Sequence, residues 1–202
     1  MNILMTGFEP FGGEKVNPSW EAVCKLPDAL PGTELRKLRL PTAFKTAAEL
    51  ACGEISAFKP DIVLCTGQAG GCAAVRIERV AINLRDARIP DNVGFQPTDE
   101  PIARDGPAAY FSTLPTRRLL DRLRDGGIAA ELSYSAGTFV CNELMYSVLH
   151  YAARNAPEMR AGFVHVPYLP EQAEAKSAKT ASMPLAEMVR SLSIILSELT
   201  GP

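Results

Sequence analysis

The sequence predicts a single α/β domain over residues 1–202, built on a mostly parallel sheet with helices on both faces. Short apolar runs alternate along the chain with segments of helical periodicity, which is typical of parallel strands connected by helices. A compact α/β domain takes about 100–200 residues, so a chain of 202 residues suits one domain. Hydrophobic residues make up 47% of the chain and charged residues 22%, which is enough apolar material for a core.

Six segments have the length and composition of strands. The third of them (DIVLCT) is almost continuously apolar, as expected for a strand that is covered on both faces. The predicted strands are residues 2–6, 34–40, 61–66, 75–84, 129–135 and 161–166.

The helix predictions rest on signals at the helix ends. Asn17 is a typical N-cap, and Pro18 suits the first helical position because its missing N–H costs nothing there. Gly126 and Gly127 end the third helix. Helices are predicted from residue 18 onward and over residues 42–58, 114–124, 139–155 and 184–199. Residues 85–114 carry several prolines and glycines and are predicted to form a long ordered loop, a kind of segment that is usually functional.

Charge and cysteine usage exclude several function classes. The formal net charge of −2 argues against nucleic-acid binding, and no apolar run is long enough to span a membrane. The N-terminal residues do not resemble a signal peptide. The five cysteines form no CxxC or metal-ligand pair, so we expect a reduced, cytoplasmic protein with free thiols and no metal.

Two glycine-rich turns, residues 7–13 and 67–71, each follow a predicted strand. Neither contains the GK[ST] or GxGxxG pattern of phosphate-binding loops, and a GxSxG serine elbow is absent. Three interpretations stay open for these turns: phosphate binding, plain tight turns, or two walls of one pocket.

Cys141 is the strongest candidate nucleophile. It falls in the first turn of the helix predicted over 139–155, at the third helical position if Thr138 is the N-cap. A helix N-terminus favours a thiolate by only about 0.3–1 kcal/mol, so a neighbouring base is required. The alternative is a buried structural cysteine, which is the interpretation that fits Cys24, Cys52 and Cys65.

Only two histidines could supply the base. His150 comes nine residues after Cys141 on the same helix, some 13 Å along the axis, which is too far for contact. His165 ends a predicted strand, where active sites of α/β proteins usually lie. A buried core histidine is the alternative for His165.

Glu78 is a candidate for orienting the imidazole. In the strand predicted over 75–84 it shares a face with apolar residues, where a carboxylate is costly unless it is paired. Its partner could be Arg76, Arg79 or His165. With His165 as partner, Glu78 and Cys141 complete a Cys–His–carboxylate set.

Long motifs give the chain a resemblance to a known family. The sequence resembles the pyroglutamyl peptidase type I family, also called pyrrolidone-carboxylate peptidases. The resemblance runs almost end to end through TGFEPFGG (6–13), NPS (17–19), GQAGG (67–71), ERVAINLRDARIPDN (78–92), DGPAAYFSTLP (105–115), SAGTFVCN (135–142) and HVPYLPEQ (165–172).

The resemblance implies a cysteine exopeptidase that removes an N-terminal pyroglutamyl residue from peptides through a pyroglutamyl thioester. It assigns the nucleophile to Cys141, the base to His165 and the orienting acid to Glu78. It also implies an α/β/α sandwich, a cytoplasmic homotetramer, and neither a metal nor an organic cofactor.

By the same resemblance, the substrate-binding residues would be Phe11, Asn17, Gln68, Phe139 and Val140. The two phenylalanines would enclose the lactam ring, and Gln68, Asn17 and the backbone region of Val140 would supply polar contacts. Arg88 and Asp91 resemble family residues near the site, and Arg88 would contact the substrate carbonyl or the oxyanion. Cys72 departs from the family pattern, because an arginine commonly stands there. This change removes a charge near the pocket and adds a thiol that could be exposed.

Two other function classes compete with the peptidase. A phosphorylase-like α/β protein would bind phosphate at the glycine-rich turns, but the sequence offers few basic residues there. A non-catalytic binding module would keep the pocket without the chemistry, and the presence of all three catalytic residue types argues against it.

Overall fold

Nine strands are present in the computed structural model, which describes residues 1–177 and 179–201. They are β1 (Asn2–Phe8), β2 (Ala29–Leu30), β3 (Thr33–Leu40), β4 (Ile62–Gln68), β5 (Val75–Glu78), β6 (Val80–Ile82), β7 (Ala109–Phe111), β8 (Ala130–Ser133) and β9 (Arg160–Val166). Seven of them form the central sheet in the order β2-β3-β1-β4-β9-β5-β8, and β6 pairs with β7 in a small separate sheet.

The central sheet is mostly parallel, as predicted. The pairs β1–β3, β1–β4, β4–β9 and β5–β8 are parallel, whereas β2–β3 and β5–β9 are antiparallel. Parallel strands need crossover connections, and these connections supply the helices.

The helices cover both faces of the sheet. They are α1 (Pro18–Cys24), α2 (Thr46–Phe58), α3 (Thr116–Asp125), α4 (Val140–Asn155), α5 (Pro170–Glu174) and α6 (Leu185–Thr200). One apolar core joins the sheet to α1, α3 and α6, and a second core joins the opposite face to α2 and α4. The predicted three-layer α/β/α sandwich is therefore confirmed.

The start of α1 follows the predicted signals. Asn17 is the N-cap, its side-chain oxygen accepts the backbone N–H of Ser19 at 3.1 Å, and Pro18 occupies the first helical position. The helix then crosses close to β1. Gly7 leaves room for this approach, since a Cβ there would lie 2.8 Å from the Cα of Trp20.

The single strand predicted over residues 75–84 is wrong. The chain divides at Arg79, whose N–H donates to the Ser133 carbonyl of the central sheet while its own carbonyl accepts from Ser112. Because the two backbone groups of Arg79 bind different partners, β5 stays in the central sheet and β6 leaves it. Glu78 consequently does not share a strand face with Val80 and Ile82.

Two helices begin later than predicted. Helix α2 begins at Thr46 rather than residue 42, because the backbone N–H groups of Thr42 and Phe44 bind carboxylates of other segments and Lys45 has a φ of 61°. Helix α4 has Phe139 as its N-cap, since the Thr138 hydroxyl donates to the Asp86 carbonyl instead.

The other predicted elements lie within two residues of their observed ends. The short elements β2, β7 and α5 carried no sequence signal, and β7 lies inside the segment predicted as a loop. Across the described residues, each helix is too short or too polar to cross a bilayer.

Two glycine substitutions test this packing. Gly7→Ala should lower the free energy of unfolding by about 1–3 kcal/mol, because the added Cβ overlaps the backbone of α1. Gly53→Ala, within α2 and facing open space, should raise it by about 0.5–1 kcal/mol through helix propensity. Urea unfolding of both variants measures the difference, and a Gly7→Ala variant as stable as wild type would contradict the close approach of α1.

Candidate active site

The antiparallel pairing of β5 with β9 brings two candidate catalytic side chains to one face of the sheet. Glu78 lies directly opposite Phe163, and opposed residues of an antiparallel pair share a face. Phe163 packs in the core beneath α4, and His165, two residues further along β9, points to the same side. Both Glu78 and His165 therefore face the layer that carries Cys141.

A short hydrogen bond joins these two side chains. His165 Nδ1 lies 2.8 Å from Glu78 Oε1, and the two residues are 6% and 1% exposed. Of the three partners that the sequence left open for Glu78, the structure gives His165, while Arg76 pairs with Glu131 at 2.6 Å. The bond orients the imidazole and leaves Nε2 free to act on a neighbour.

Cys141 is that neighbour. It is the second residue of α4, one position earlier than predicted, at a helix end that no side chain caps. Its sulfur lies above Gly67, where a Cβ would approach Sγ to 2.9 Å and the Phe163 ring to 2.8 Å. Gly67 is the register partner of His165 between β4 and β9, so the missing side chain makes room for the thiol beside the imidazole.

The surroundings of His165 favour its protonated form. Burial opposes the positive charge, but the hydrogen bonds and charge interactions with Cys141 and Glu78 outweigh it and raise the pKa of His165 to about 9. The shift favours the imidazolium form at neutral pH. A protonated imidazole beside a thiol sulfur is the arrangement that produces a thiolate nucleophile.

His150 is held elsewhere. Its Nδ1 lies 2.9 Å from the Tyr110 hydroxyl and its ring stacks on Tyr146 at a centroid distance of 6.0 Å. It lines a different cavity of about 530 Å³, between α2 and α4. The geometric argument against His150 as partner of Cys141 agrees with this position.

A cavity of about 690 Å³ opens above the Cys141 thiol, and we call it the Cys141 cavity. Both glycine-rich turns contribute to it, so the interpretation of the turns as walls of one pocket is the one that the structure supports. Of the residues named from the sequence, those that line it are Phe11, Gln68, Glu78, Arg88, Phe139, Cys141 and His165.

Asn17 and Val140 are absent from the described lining of this cavity. The Asn17 side chain is occupied with Ser19 and with the Glu9 carbonyl. The Val140 side chain is fully buried, whereas the predicted contact was with the Val140 backbone. Both assignments stay predictions.

The aromatic walls of the Cys141 cavity touch each other. The ring centroids of Phe11 and Phe139 lie 6.0 Å apart at an angle of 36°. Phe44 packs edge-on against Phe139 at 5.1 Å and holds it from behind. Phe139 is thus packed from behind by Phe44, whereas Phe11 lies on the glycine-rich turn.

Sequence reasoning missed the residues that anchor the start of α4. Asn142 accepts the N–H of Ile82 at 2.9 Å and donates to the carbonyls of Ile82 and Leu84. Glu143 forms a buried ion pair with Arg85 and accepts the N–H of Lys45 at 2.7 Å. In the sequence, the one indication of this role was that Asn142 and Glu143 follow Cys141 directly in the first turn of the helix.

The long loop between β6 and β7 is braced by buried polar side chains. Arg85 donates to the carbonyls of Pro101 and Ile102. Asp91 does not line the Cys141 cavity in the described chain; its carboxylate accepts the N–H groups of Phe44, Val93 and Phe95. The loop therefore belongs to the scaffold of the site.

The remaining cysteines partly differ from expectation. Cys72 is 5% exposed, so the thiol is not accessible, and burial raises its pKa. Cys24 is exposed, which contradicts its interpretation as a packing residue. Burial raises the pKa of Cys52 to about 11 and that of Cys65 to about 12, as expected for inert thiols. No group of His, Cys, Asp and Glu side chains in the described chain has the arrangement of a metal site.

Comparison with known proteins identifies the family. The family model for pyroglutamyl peptidase matches residues 1–200. The chain belongs to the pyroglutamyl peptidase family. The resemblance drawn from the sequence motifs is confirmed, and so is the enzyme class that it implied.

Curated members of this family align over nearly their whole length. The pyrrolidone-carboxylate peptidase of Erwinia tasmaniensis is 53% identical over 202 residues, covering 97% of this chain and 94% of its own. That of Levilactobacillus brevis is 50% identical over 192 residues, covering 95% and 94%.

Solved structures of family members have the same fold. Pyroglutamyl peptidase I of Bacillus amyloliquefaciens superposes with a TM-score of 0.91 at 45% identity, covering 96% of this chain and 94% of its own. The pyrrolidone carboxyl peptidase of Pyrococcus furiosus gives 0.94 at 40% identity, covering 98% and 97%.

Removal of the buried arginine should destabilise this family member. Arg85→Met leaves the Glu143 carboxylate buried without its cation, and we expect the free energy of unfolding to fall by about 3–5 kcal/mol. The double variant Arg85→Met/Glu143→Met should recover part of that loss, because no unpaired charge remains. Urea unfolding measures both, and a double variant less stable than Arg85→Met alone would contradict the pairing.

The raised pKa of His165 predicts how stability depends on pH. An unfolded histidine titrates at about 6.5, whereas the folded value is about 9. Because the folded value is the higher one, the stabilisation from His165 is complete below about pH 6.5 and is lost as pH rises through 9. The difference in unfolding free energy between wild type and His165→Gln, measured by urea unfolding, should therefore fall as pH rises across this window. A difference that stays constant between pH 6 and about pH 9.5 would contradict the shift.

Proposed function

We propose that this protein hydrolyses the amide bond after an N-terminal pyroglutamyl residue of peptides, with Cys141 as nucleophile, His165 as acid and base, and Glu78 as orienting carboxylate. The observation that carries the proposal is the buried Glu78–His165 hydrogen bond beside the Cys141 thiol, at the floor of an aromatic cavity. The names of the relatives, pyrrolidone-carboxylate peptidases at about half identity, support the substrate class.

The reaction proceeds by acyl transfer. The Cys141 sulfur adds to the carbonyl carbon of the pyroglutamyl residue, and the carbonyl oxygen takes up the negative charge. When this intermediate collapses, the C–N bond breaks and the proton on His165 Nε2 passes to the leaving amine. The pyroglutamyl group is left as a thioester on Cys141.

Hydrolysis of the thioester uses the same imidazole as a base. Neutral His165 takes a proton from water, the water oxygen adds to the thioester carbon, and the C–S bond breaks. Pyroglutamate leaves, and Cys141 and His165 return to their starting state. Glu78 keeps the ring in one orientation through both halves, because its bond to Nδ1 does not depend on the substrate.

Two groups could stabilise the oxyanion. The backbone N–H groups in the uncapped first turn of α4 lie next to the sulfur and have no intrahelical acceptor. Arg88 lines the same cavity from the long loop and would add a positive charge at its rim.

The walls of the Cys141 cavity suit a neutral ring. Pyroglutamate is a lactam without an α-ammonium group, so the aromatic rings of Phe11 and Phe139 can cover it without leaving a charge unpaired. A ring held between two others needs them about 7–8 Å apart, which is more than the 6.0 Å observed. Phe11 would therefore move outward when substrate enters.

The location and assembly follow from the resemblance. We propose one peptidase domain over residues 1–202 that works in the cytoplasm as a homotetramer, without a metal or an organic cofactor. The free cysteines of the described chain suit a reducing compartment.

Release of a chromophore from a pyroglutamyl arylamide tests the proposal. Cys141→Ala should lower turnover at least roughly 10³-fold, and His165→Ala by about 10²–10⁴-fold, because each removes a group that reacts. Glu78→Gln should mainly lower kcat, because it weakens the orientation of the imidazole.

Matched controls use the other residues of the same types. Cys24→Ala changes an exposed cysteine and His150→Ala changes the second histidine, and both should keep wild-type turnover within about twofold. Activity that survives Cys141→Ala, or a loss caused by His150→Ala and not by His165→Ala, would overturn the assignment. Binding of pyroglutamyl compounds without any turnover would favour a non-catalytic module.

A further inference from the structure

A buried glutamine connects three segments behind the Cys141 cavity. Gln172, on α5, is 5% exposed. Its Oε1 accepts the N–H of Leu169 at 3.0 Å. Its Nε2 lies 3.3 Å from the Val16 carbonyl, 3.1 Å from Glu14 Oε2 and 3.0 Å from Gln68 Oε1. The segment that follows the first glycine-rich turn, the second glycine-rich turn and the chain after β9 thus meet at one amide group.

The orientation of the Gln172 amide is determined by groups that have only one hydrogen-bonding role. The N–H of Leu169 can only donate, so it must face the amide oxygen. The Val16 carbonyl can only accept, so it must face the amide nitrogen. The Glu14 carboxylate adds a second acceptor, since its hydrogen bond to Lys176 lowers the pKa of Glu14 and keeps it ionised. If the Gln172 amide were turned by 180°, its NH₂ group would face the Leu169 N–H, and its oxygen would face the Val16 carbonyl and the Glu14 carboxylate.

The orientation of Gln172 in turn determines that of Gln68. Because Gln172 presents its NH₂ group, Gln68 must turn its own oxygen toward it, at 3.0 Å. The Gln68 NH₂ group is then directed away from Gln172, and Gln68 lines the Cys141 cavity. Within residues 1–177 and 179–201, this NH₂ group donates no hydrogen bond to a protein acceptor.

We propose that Gln172 is a positioning residue that fixes the Gln68 amide with its N–H donors toward the cavity, so that the site selects a ring bearing a carbonyl oxygen. This inference rests on the proposed function and adds the origin of its ring specificity. A lactam carbonyl accepts a hydrogen bond from Gln68. A prolyl ring has a methylene group at that place and leaves the donor unpaired in a desolvated site.

Reversal of the polarity of residue 172 is the direct test. Gln172→Glu is made in a Glu14→Gln background, which also serves as its reference, because two carboxylates 3.1 Å apart would share a proton. Both side-chain oxygens of residue 172 can then accept, so the contact to Leu169 survives while Gln68 must turn its NH₂ group toward residue 172. Gln68 then presents its oxygen to the cavity and opposes the lactam carbonyl. The probe is 2-pyrrolidinone, whose binding is measured by the protection it gives Cys141 against alkylation by iodoacetamide.

We expect Gln172→Glu to weaken 2-pyrrolidinone binding about tenfold or more. KM for a pyroglutamyl arylamide should rise by a similar factor, while kcat and the alkylation rate without ligand stay within about twofold, because the Cys141 centre is unaffected. Glu171→Gln, an exposed change on the same helix, is the matched control and should leave binding unchanged. Unchanged binding in Gln172→Glu would overturn the proposal.

A double-mutant cycle separates positioning from general destabilisation. If Gln172 acts only through Gln68, Gln172→Met should weaken 2-pyrrolidinone binding in wild type and add little in the Gln68→Met background. Additive effects would overturn the proposal, and thermal unfolding identifies any variant that fails to fold. Because alkylation protection needs no turnover, the inference can be tested even if the protein hydrolyses no pyroglutamyl substrate, so the two failures are distinguishable.

Discussion

The antiparallel pairing of β5 with β9 is the constraint on which the rest of the site depends. In a sheet whose central strands are otherwise parallel, β5 runs against its neighbour and brings Glu78 level with Phe163. The carboxylate is thereby buried next to an imidazole that it can orient. Burial of Glu78 without that partner would cost several kcal/mol, so the strand register and the Glu78–His165 bond support each other.

The position of the thiol depends on a second set of buried polar groups. Asn142 and Glu143 bind the strand β6 and the ion-paired Arg85, and so fix the N-terminal turn of α4 that carries Cys141. A buried ion pair contributes little net stability compared with apolar packing. The contribution of this pair is geometric, since it connects the long loop, the start of α2 and the start of α4.

Local sequence signals predicted most of the helices and strands. The features that these signals missed depend on tertiary pairing between segments that are distant in the sequence. The start of α1 at Asn17–Pro18 and the end of α3 at Gly126–Gly127 could be predicted, because helix capping depends on residues that are neighbours in the sequence. The break at Arg79 could not be predicted, because it results from hydrogen bonds to Ser133 and Ser112, far along the chain. The direction of β5 and the burial of Cys72 likewise depend on distant partners. Cys141, His165 and Glu78 could be named from the sequence, whereas Gln172 entered only as a letter of a motif.

The electrostatics of His165 suit both halves of an acyl-transfer cycle. In the free protein burial opposes protonation of His165, but the hydrogen bonds and charge interactions with Cys141 and Glu78 outweigh it and raise the pKa of the imidazole. A protonated imidazole can donate its proton to the leaving amine of the proposed reaction. In the proposed acyl-enzyme the Cys141 sulfur would be part of a thioester and would no longer favour protonation of His165, while the desolvation that opposes protonation would remain. A neutral imidazole is what the second half of the proposed cycle requires of its base, so formation of the thioester would itself favour the change of His165 from acid to base.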